Sequence, residues 1–151
     1  MGVKKVVVGA TFQQYLVERM DELKNQYLRG LIAAGVQTIN YVRDRSGDMS
    51  WYDQTGNLRS STGFVVLDDG VIVFQSGFET VKDGAEGSRI GKEFSELVAS
   101  RTEQFKQGLV LIVVAGMEYA SYVEAMDNKD VLASSKPYAN RIVQDLIKQL
   151  K

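Results

Sequence analysis

Few residues in this sequence of 151 have the types and spacing that chemistry requires. The stretch Gly87–Glu93 holds part of the phosphate-binding loop pattern, but three residues separate its glycines where four are needed. Glu93 also stands where a Ser or Thr would hold Mg²⁺. We interpret this stretch as a flexible glycine loop that leads into a helix.

Two acidic clusters and one Ser-Lys pair are the remaining candidates. Asp68-Asp69 and residues 127–130 lack the alternating oxygen ligands and distal Glu of a calcium loop, and turns favour Asp for backbone reasons alone. Ser135 beside Lys136 fits a helix N-cap. The absence of His and Cys removes disulfides, thiolate nucleophiles, Ser-His-Asp triads and the usual zinc and haem ligands. We therefore expect no enzymatic activity, no metal site and no cofactor.

Composition narrows the classes of partner. A net charge of -1, with 25% charged residues and a pI of about 5.5, does not provide the basic field that nucleic-acid binding uses, so we expect no sequence-specific nucleic-acid ligand. The longest apolar run, Leu109–Ala115, is far shorter than the roughly 18 residues of a membrane-spanning helix. We expect no membrane partner and a cytoplasmic location.

A long helical stripe opens the chain. From Phe12 to Tyr41, apolar or small residues recur in steps of three or four, which predicts one amphipathic helix. About 30 residues at 1.5 Å each would give a rod of roughly 45 Å, longer than a core of this size needs. Part of the helix should therefore pack on something else.

A β-hairpin and a glycine-rich segment follow. Leu58–Leu67 is rich in β-forming residues, and Asp68-Asp69-Gly70 leads into the apolar run Val71–Phe74, a pattern typical of a hairpin. Residues 77–91 combine charged residues with glycines, which predicts a mobile loop that could order on assembly. The glycines that define this predicted assembly loop are Gly77, Gly84, Gly87 and Gly91.

Three elements complete the prediction. Lys92–Lys106 is expected to be a helix with Phe94, Leu97, Val98 and Phe105 on its packed side. Leu109–Ala115 is uninterruptedly apolar, so both of its faces should be covered, which makes it the candidate central strand. A last helix should begin near Ser135.

The order of these elements predicts the α+β class in a single domain, residues 1–151, with residues 1–10 as a flexible arm. A long N-terminal helix, a middle helix and a C-terminal helix would pack on a small, mostly antiparallel sheet that contains the hairpin.

Two segments carry recognisable motifs: Asp53–Thr62 reads DQTGNLRSST, and Val113–Glu124 reads VVAGMEYASYVE. The first is similar to the TGxLRxS signature of the bacteriophage tail-completion family, also called head–tail joining or neck proteins. The second is similar to the strand followed by a YAxYVE segment in that family. The order of the segments and their flanking helices also match, so the resemblance covers residues 11–150. The motif residues that the resemblance marks as an interface are Thr55, Gly56, Asn57, Leu58, Arg59, Ser60, Tyr119, Ala120, Tyr122 and Glu124.

The resemblance implies a virion structural protein that completes the tail or joins it to the portal connector. The implied partners are other copies of the chain, in a ring expected to be hexameric in the particle, together with connector or portal-side proteins and tail-tube proteins. The implied location is the host cytoplasm during assembly and then the head–tail junction of the virion. No covalent chemistry is implied.

The motif also has a purely local interpretation. Gly56 would take a positive φ in a tight turn that delivers Leu58 to the core side of the first strand, with Arg59 and Ser61 pointing outward. Arg59 could then serve local structure or a contact between subunits, with Glu124 as a candidate partner. A small cellular α+β adaptor or ligand-binding module without catalysis is the alternative to the phage role.

Overall fold

The computed structural model describes residue 2 and residues 9–44, 55–117 and 132–150. In these ranges a short 3₁₀ turn, Glu103–Phe105, precedes the last strand. The other elements, in chain order, are helix α1 (Gly9–Arg43), the one-turn helix α2 (Asn57–Ser60), strands β1 (Thr62–Asp68) and β2 (Val71–Gln75), helix α3 (Ala85–Arg101), strand β3 (Leu109–Ala115) and helix α4 (Ser135–Leu150). The predicted α+β class is confirmed.

The sheet lies between two helical layers. Within the described residues its strand order is β2-β1-β3, and β1 is antiparallel to both neighbours. Successive β1 side chains alternate between the faces: Phe64 and Val66 pack in the cluster on the α1 side, while Val65 and Leu67 pack with Ala99 of α3. α4 lies on the same face as α1 and runs along it.

The prediction that Leu109–Ala115 is the central strand is wrong, because β1 holds that place. Both faces of β3 are nevertheless covered, with Ile112 and Val114 on the α3 side and Leu111 and Val113 on the α1 side. An apolar run reports which faces of a strand are covered, and this is independent of whether a second strand lies beside it.

The hairpin between β1 and β2 is confirmed. Asp69 and Gly70 have φ angles of 47° and 84°, the left-handed pair that a two-residue Asp-Gly turn requires. The pairing register shifts between Val66 and Leu67, so β2 carries an irregularity next to its turn.

Helix α1 is confirmed and is 35 residues long, which at 1.5 Å per residue is about 52 Å. Its C-terminal half is packed: the rings of Tyr41 and Tyr138 stack at a centroid distance of 4.2 Å, and Leu146 of α4 occupies the space that a Cβ on Gly30 would need. Lys24 Nζ lies 2.7 Å from Asp68 Oδ2, at the hairpin end of the sheet. The residues before Lys24 therefore extend past the sheet.

The predicted mobile loop over residues 77–91 is wrong for its second half, because α3 begins at Ala85 and ends at Arg101. Gly87 and Gly91 are buried one turn apart on α3. A Cβ on Gly87 would lie 2.1 Å from the Asn57 carbonyl oxygen, and one on Gly91 would lie 2.4 Å from that of Ser61. These glycines allow the helix to pack directly on backbone, and that contact outweighs their low helix propensity.

The packed side predicted for the middle helix is confirmed for Val98 and Phe105, which pack against the core cluster on that side of the sheet, and is wrong for the other two residues. The buried residues of α3 are small, and Phe94 and Leu97 are instead 39% and 41% exposed. The buried residues of the helix are Gly87, Gly91, Ser95 and Ala99. A face made of small residues can approach a sheet more closely than a face made of large ones.

Candidate assembly surfaces

The turn at the start of the Thr55–Ser60 motif requires its glycine. Gly56 has a φ of +81°, as predicted, and a Cβ there would lie 2.0 Å from the Val81 carbonyl oxygen. The Asn57 N–H donates to Thr55 Oγ1 at 3.2 Å, and Asn57 Oδ1 accepts from the Gly87 N–H at 3.0 Å. The turn thereby connects the first turn of α3 to the segment that precedes β1.

Leu58 and Ser60 face the interior of the chain. Leu58 is buried beside Val42 at the end of α1. Ser60 is fully buried, and its Oγ accepts from the Val81 N–H at 2.7 Å. Both side chains are buried within the chain, so neither is exposed for contact with another subunit.

The prediction that Leu58 begins a strand with outward-facing Ser61 is wrong. Leu58 lies in α2, and β1 begins only at Thr62. Ser61 is buried, and its Oγ donates to the Leu58 carbonyl oxygen at 2.7 Å. Ser side chains readily hydrogen-bond to nearby backbone carbonyls, and here the bond stabilises a helical turn where a strand was predicted.

Two arginines tie the end of α1 to the motif. Arg59 Nη1 donates to the carbonyl oxygen of Arg43, in the last turn of α1. Arg43 Nη2 donates to the Thr62 carbonyl oxygen at 2.6 Å, and its Nη1 lies 3.6 Å from Glu79 Oε2. Burial lowers the pKa of the Arg43 guanidinium, and the nearby Glu79 carboxylate partly opposes this shift. The hydrogen bond from Arg59 to Arg43 lies within one chain and fits the local interpretation of this residue.

The glycines of the predicted assembly loop have different environments. Gly77 is exposed, and a Cβ there would meet nothing within 4 Å. Gly84 is buried directly before α3, where a Cβ would lie 2.2 Å from Ser60 Oγ. Gly87 and Gly91 lie inside α3, so an assembly role can apply only to the segment before Gly84.

The YAxYVE part of the second motif lies outside the described residues, and with it Tyr119, Ala120, Tyr122 and Glu124. The strand that precedes it is β3. The pairing of Arg59 with Glu124 stays a prediction.

The N-terminal half of α1 is an exposed apolar surface, which we call the α1 extension (residues 11–22). All of its residues are exposed, including Phe12 at 56% and Met20 at 68%. Its exposed apolar residues are Phe12, Tyr15, Leu16, Val17 and Met20. Contiguous exposed apolar patches are commonly found at sites of protein interaction.

A groove runs between α1 and β2, and we call it the β2 groove. Val36 and Ile39 of α1 and Phe64 and Phe74 of the sheet line a cavity of about 150 Å³, and Arg43 and Glu79 lie at its end. Within the described part of the chain no strand lies beyond β2. No pattern in the sequence indicates this groove, because the groove depends on where α1 crosses the sheet.

The described residues hold no cluster of three or more acidic side chains placed to bind a metal ion. None of the helices in those ranges combines the length and apolar character needed to cross a membrane. Comparisons with protein-family models, curated proteins and solved structures give no match.

Proposed function

We propose that this protein is a structural component of a bacteriophage virion and forms a ring at the head–tail junction. The ring completes the tail or joins it to the portal connector, and it acts by contacts alone. The phage assignment rests on the resemblance of residues 53–62 and 113–124 to the tail-completion family.

The α1 extension carries the assembly part of this proposal. Burying apolar surface contributes about 25 cal/mol per Å², and the extension leaves a row of large apolar side chains in water. The C-terminal continuation of the same helical stripe is buried by the sheet and α4. A second protein surface is therefore the natural cover for the N-terminal half.

The geometry also suits head-to-tail contacts. The α1 extension projects from one end of the chain, and the β2 groove lies on its packed body, so the two surfaces are different and distant. Contacts between two unlike surfaces form rings when the rotation between subunits closes. Six copies are the expected number in the particle.

The decisive measurement is the mass of the purified protein by light scattering on a sizing column over a wide concentration range. We expect a shift from monomer to one closed species at six times the chain mass of 16.8 kDa, visible as rings in negative stain. A strict monomer at every concentration would contradict self-assembly of a ring. Genes for portal, capsid and tail proteins beside this one would independently support the phage assignment.

A further inference from the structure

The outer edge of β2 and the groove beside it form a site that fits an extended chain. Val71 is 65% exposed, and β2 contains no charge or proline that would discourage pairing of its edge. At about 150 Å³ the cavity of the β2 groove is below the roughly 300 Å³ at which small-molecule sites begin. It suits one or two side chains from a strand added to β2, as in β-strand addition.

The N-terminal segment of the chain has the matching composition. Residues 3–8 read VKKVVV, four β-branched residues and two lysines. β-Branched residues favour strands. Two carboxylates lie near the C-terminal end of β2: Glu79 follows the strand, and Glu96 accepts a hydrogen bond from Gln75. Adjacent residues of a strand face opposite sides of the sheet, so one of Lys4 and Lys5 can face Glu79, which also pairs with Arg43 in the groove. The other can face Glu96 on the α3 side of the sheet.

This segment cannot reach the groove of its own chain. The groove lies beside α1 from Val36 to Arg43, and Gly9 is about 40 Å from Val36 along the helix at 1.5 Å per residue. Six extended residues span at most about 20 Å. A strand made by residues 3–8 can therefore pair with β2 only in another copy.

We propose that residues 3–8 of one copy add as a strand to the outer edge of β2 in the next copy, with valine side chains in the β2 groove. This inference rests on the proposed ring and identifies one of its contacts. The α1 extension directly follows the added strand, so docking places Phe12 and Leu16 against the acceptor subunit. Each copy then donates one arm and accepts one, which is the head-to-tail arrangement that closes a ring.

Cysteine cross-linking tests this contact directly, because the natural chain contains no cysteine. Two single variants, Val6→Cys and Val73→Cys, are purified separately, mixed, and treated with a short bifunctional maleimide. We expect cross-linked pairs in the mixture and little in either variant alone. The matched control mixes Val6→Cys with Leu97→Cys, whose residue is 41% exposed on α3 against 44% for Val73, and no pairs should form.

A second variant measures the contribution of the arm to assembly. Replacing Val6, Val7 and Val8 by Ser should raise the concentration for half-assembly at least tenfold and leave the urea unfolding midpoint of the monomer unchanged. Rings that form equally well with this variant, without cross-links to Val73→Cys, would overturn the arm contact and leave the ring proposal standing. Cross-linked pairs that never close into a species of defined mass would overturn the ring proposal and leave the arm contact standing.

Two other outcomes identify a different occupant. Cross-linking of Val73→Cys with itself would mean that the edges of two β2 strands pair, and the proposed contact would be wrong. Unchanged assembly of the triple serine variant, with no cross-link in any mixture, would mean that another part of the same chain covers the groove. That result would also overturn the proposal.

Discussion

At the scale of single residues, Gly56 is the position where substitution has the clearest expected cost. Its φ of +81° strains any residue with a side chain by about 1–2 kcal/mol, and a Cβ would lie 2.0 Å from the Val81 carbonyl oxygen. We expect Gly56→Ala to lower the free energy of unfolding by about 2 kcal/mol or more, measured by urea denaturation.

Gly77 is the matched control for this substitution. A Cβ there would meet nothing within 4 Å, and its φ lies outside the left-handed region. We expect Gly77→Ala to be neutral, or to stabilise by up to about 1 kcal/mol because it restricts the unfolded chain. Equal effects at Gly56 and Gly77 would show that the turn does not need its glycine.

Substitution of Arg59 distinguishes a role in local structure from a role in a contact between subunits. Its guanidinium satisfies the Arg43 carbonyl at the C-terminal end of α1, and hydrogen bonds to charged groups contribute about 1.5–3 kcal/mol. We expect Arg59→Ala to lower the stability of the monomer by about 1–2 kcal/mol, measured at concentrations below assembly. Loss of assembly with unchanged monomer stability would instead assign Arg59 to a subunit contact.

Among the secondary-structure elements, α3 packs directly on the backbone before β1. This contact predicts that Gly→Ala substitution at the packed face of α3 destabilises the protein, although Ala has the higher helix propensity. Gly→Ala in a helix interior normally stabilises by about 1 kcal/mol. At Gly91, however, a Cβ would lie 2.4 Å from the Ser61 carbonyl oxygen, and overpacking costs about 1–3 kcal/mol. We expect Gly91→Ala to be destabilising in thermal and urea unfolding.

Lys92 provides the control on the same helix. Its side chain is exposed, so Lys92→Ala should change stability by less than about 0.5 kcal/mol. If Gly91→Ala proved stabilising, α3 would have to sit farther from β1 than the structure places it.

At the scale of the whole molecule, the α1 extension predicts that assembly and stability can be separated. Phe12, Leu16 and Met20 are exposed, and the described chain packs no other element against them. We expect their triple replacement by Ser to leave the unfolding free energy of the monomer within about 1 kcal/mol and to abolish the concentration-dependent rise in mass.

The corresponding control is Leu97→Ser on α3. Leu97 is also exposed and apolar, but it belongs to α3, which packs on the opposite face of the sheet from α1. Light scattering should show normal assembly for this variant. If both variants assembled normally, the extension would have no part in the ring.

Elements with a local pattern could be predicted from the amino-acid sequence alone. The Asp69-Gly70 turn was predictable because only a few residue pairs accept two left-handed conformations in succession. The stripe of α1 and the start of α4 near Ser135 were predictable because helical periodicity repeats within one segment. The positive φ of Gly56 followed from the chemistry of a single turn.

Features that depend on contacts with a second, distant segment of the chain could not be predicted from the sequence. Gly87 and Gly91 were predicted to be loop residues, because the sequence around them does not show the contact that requires glycine. That contact is with the backbone before β1, which is distant in sequence. β1 became the central strand because strand order depends on which edges meet, and no pattern within one strand records that. The β2 groove exists because α1 crosses the sheet beside β1 and leaves Phe74 partly uncovered, a result of packing between elements.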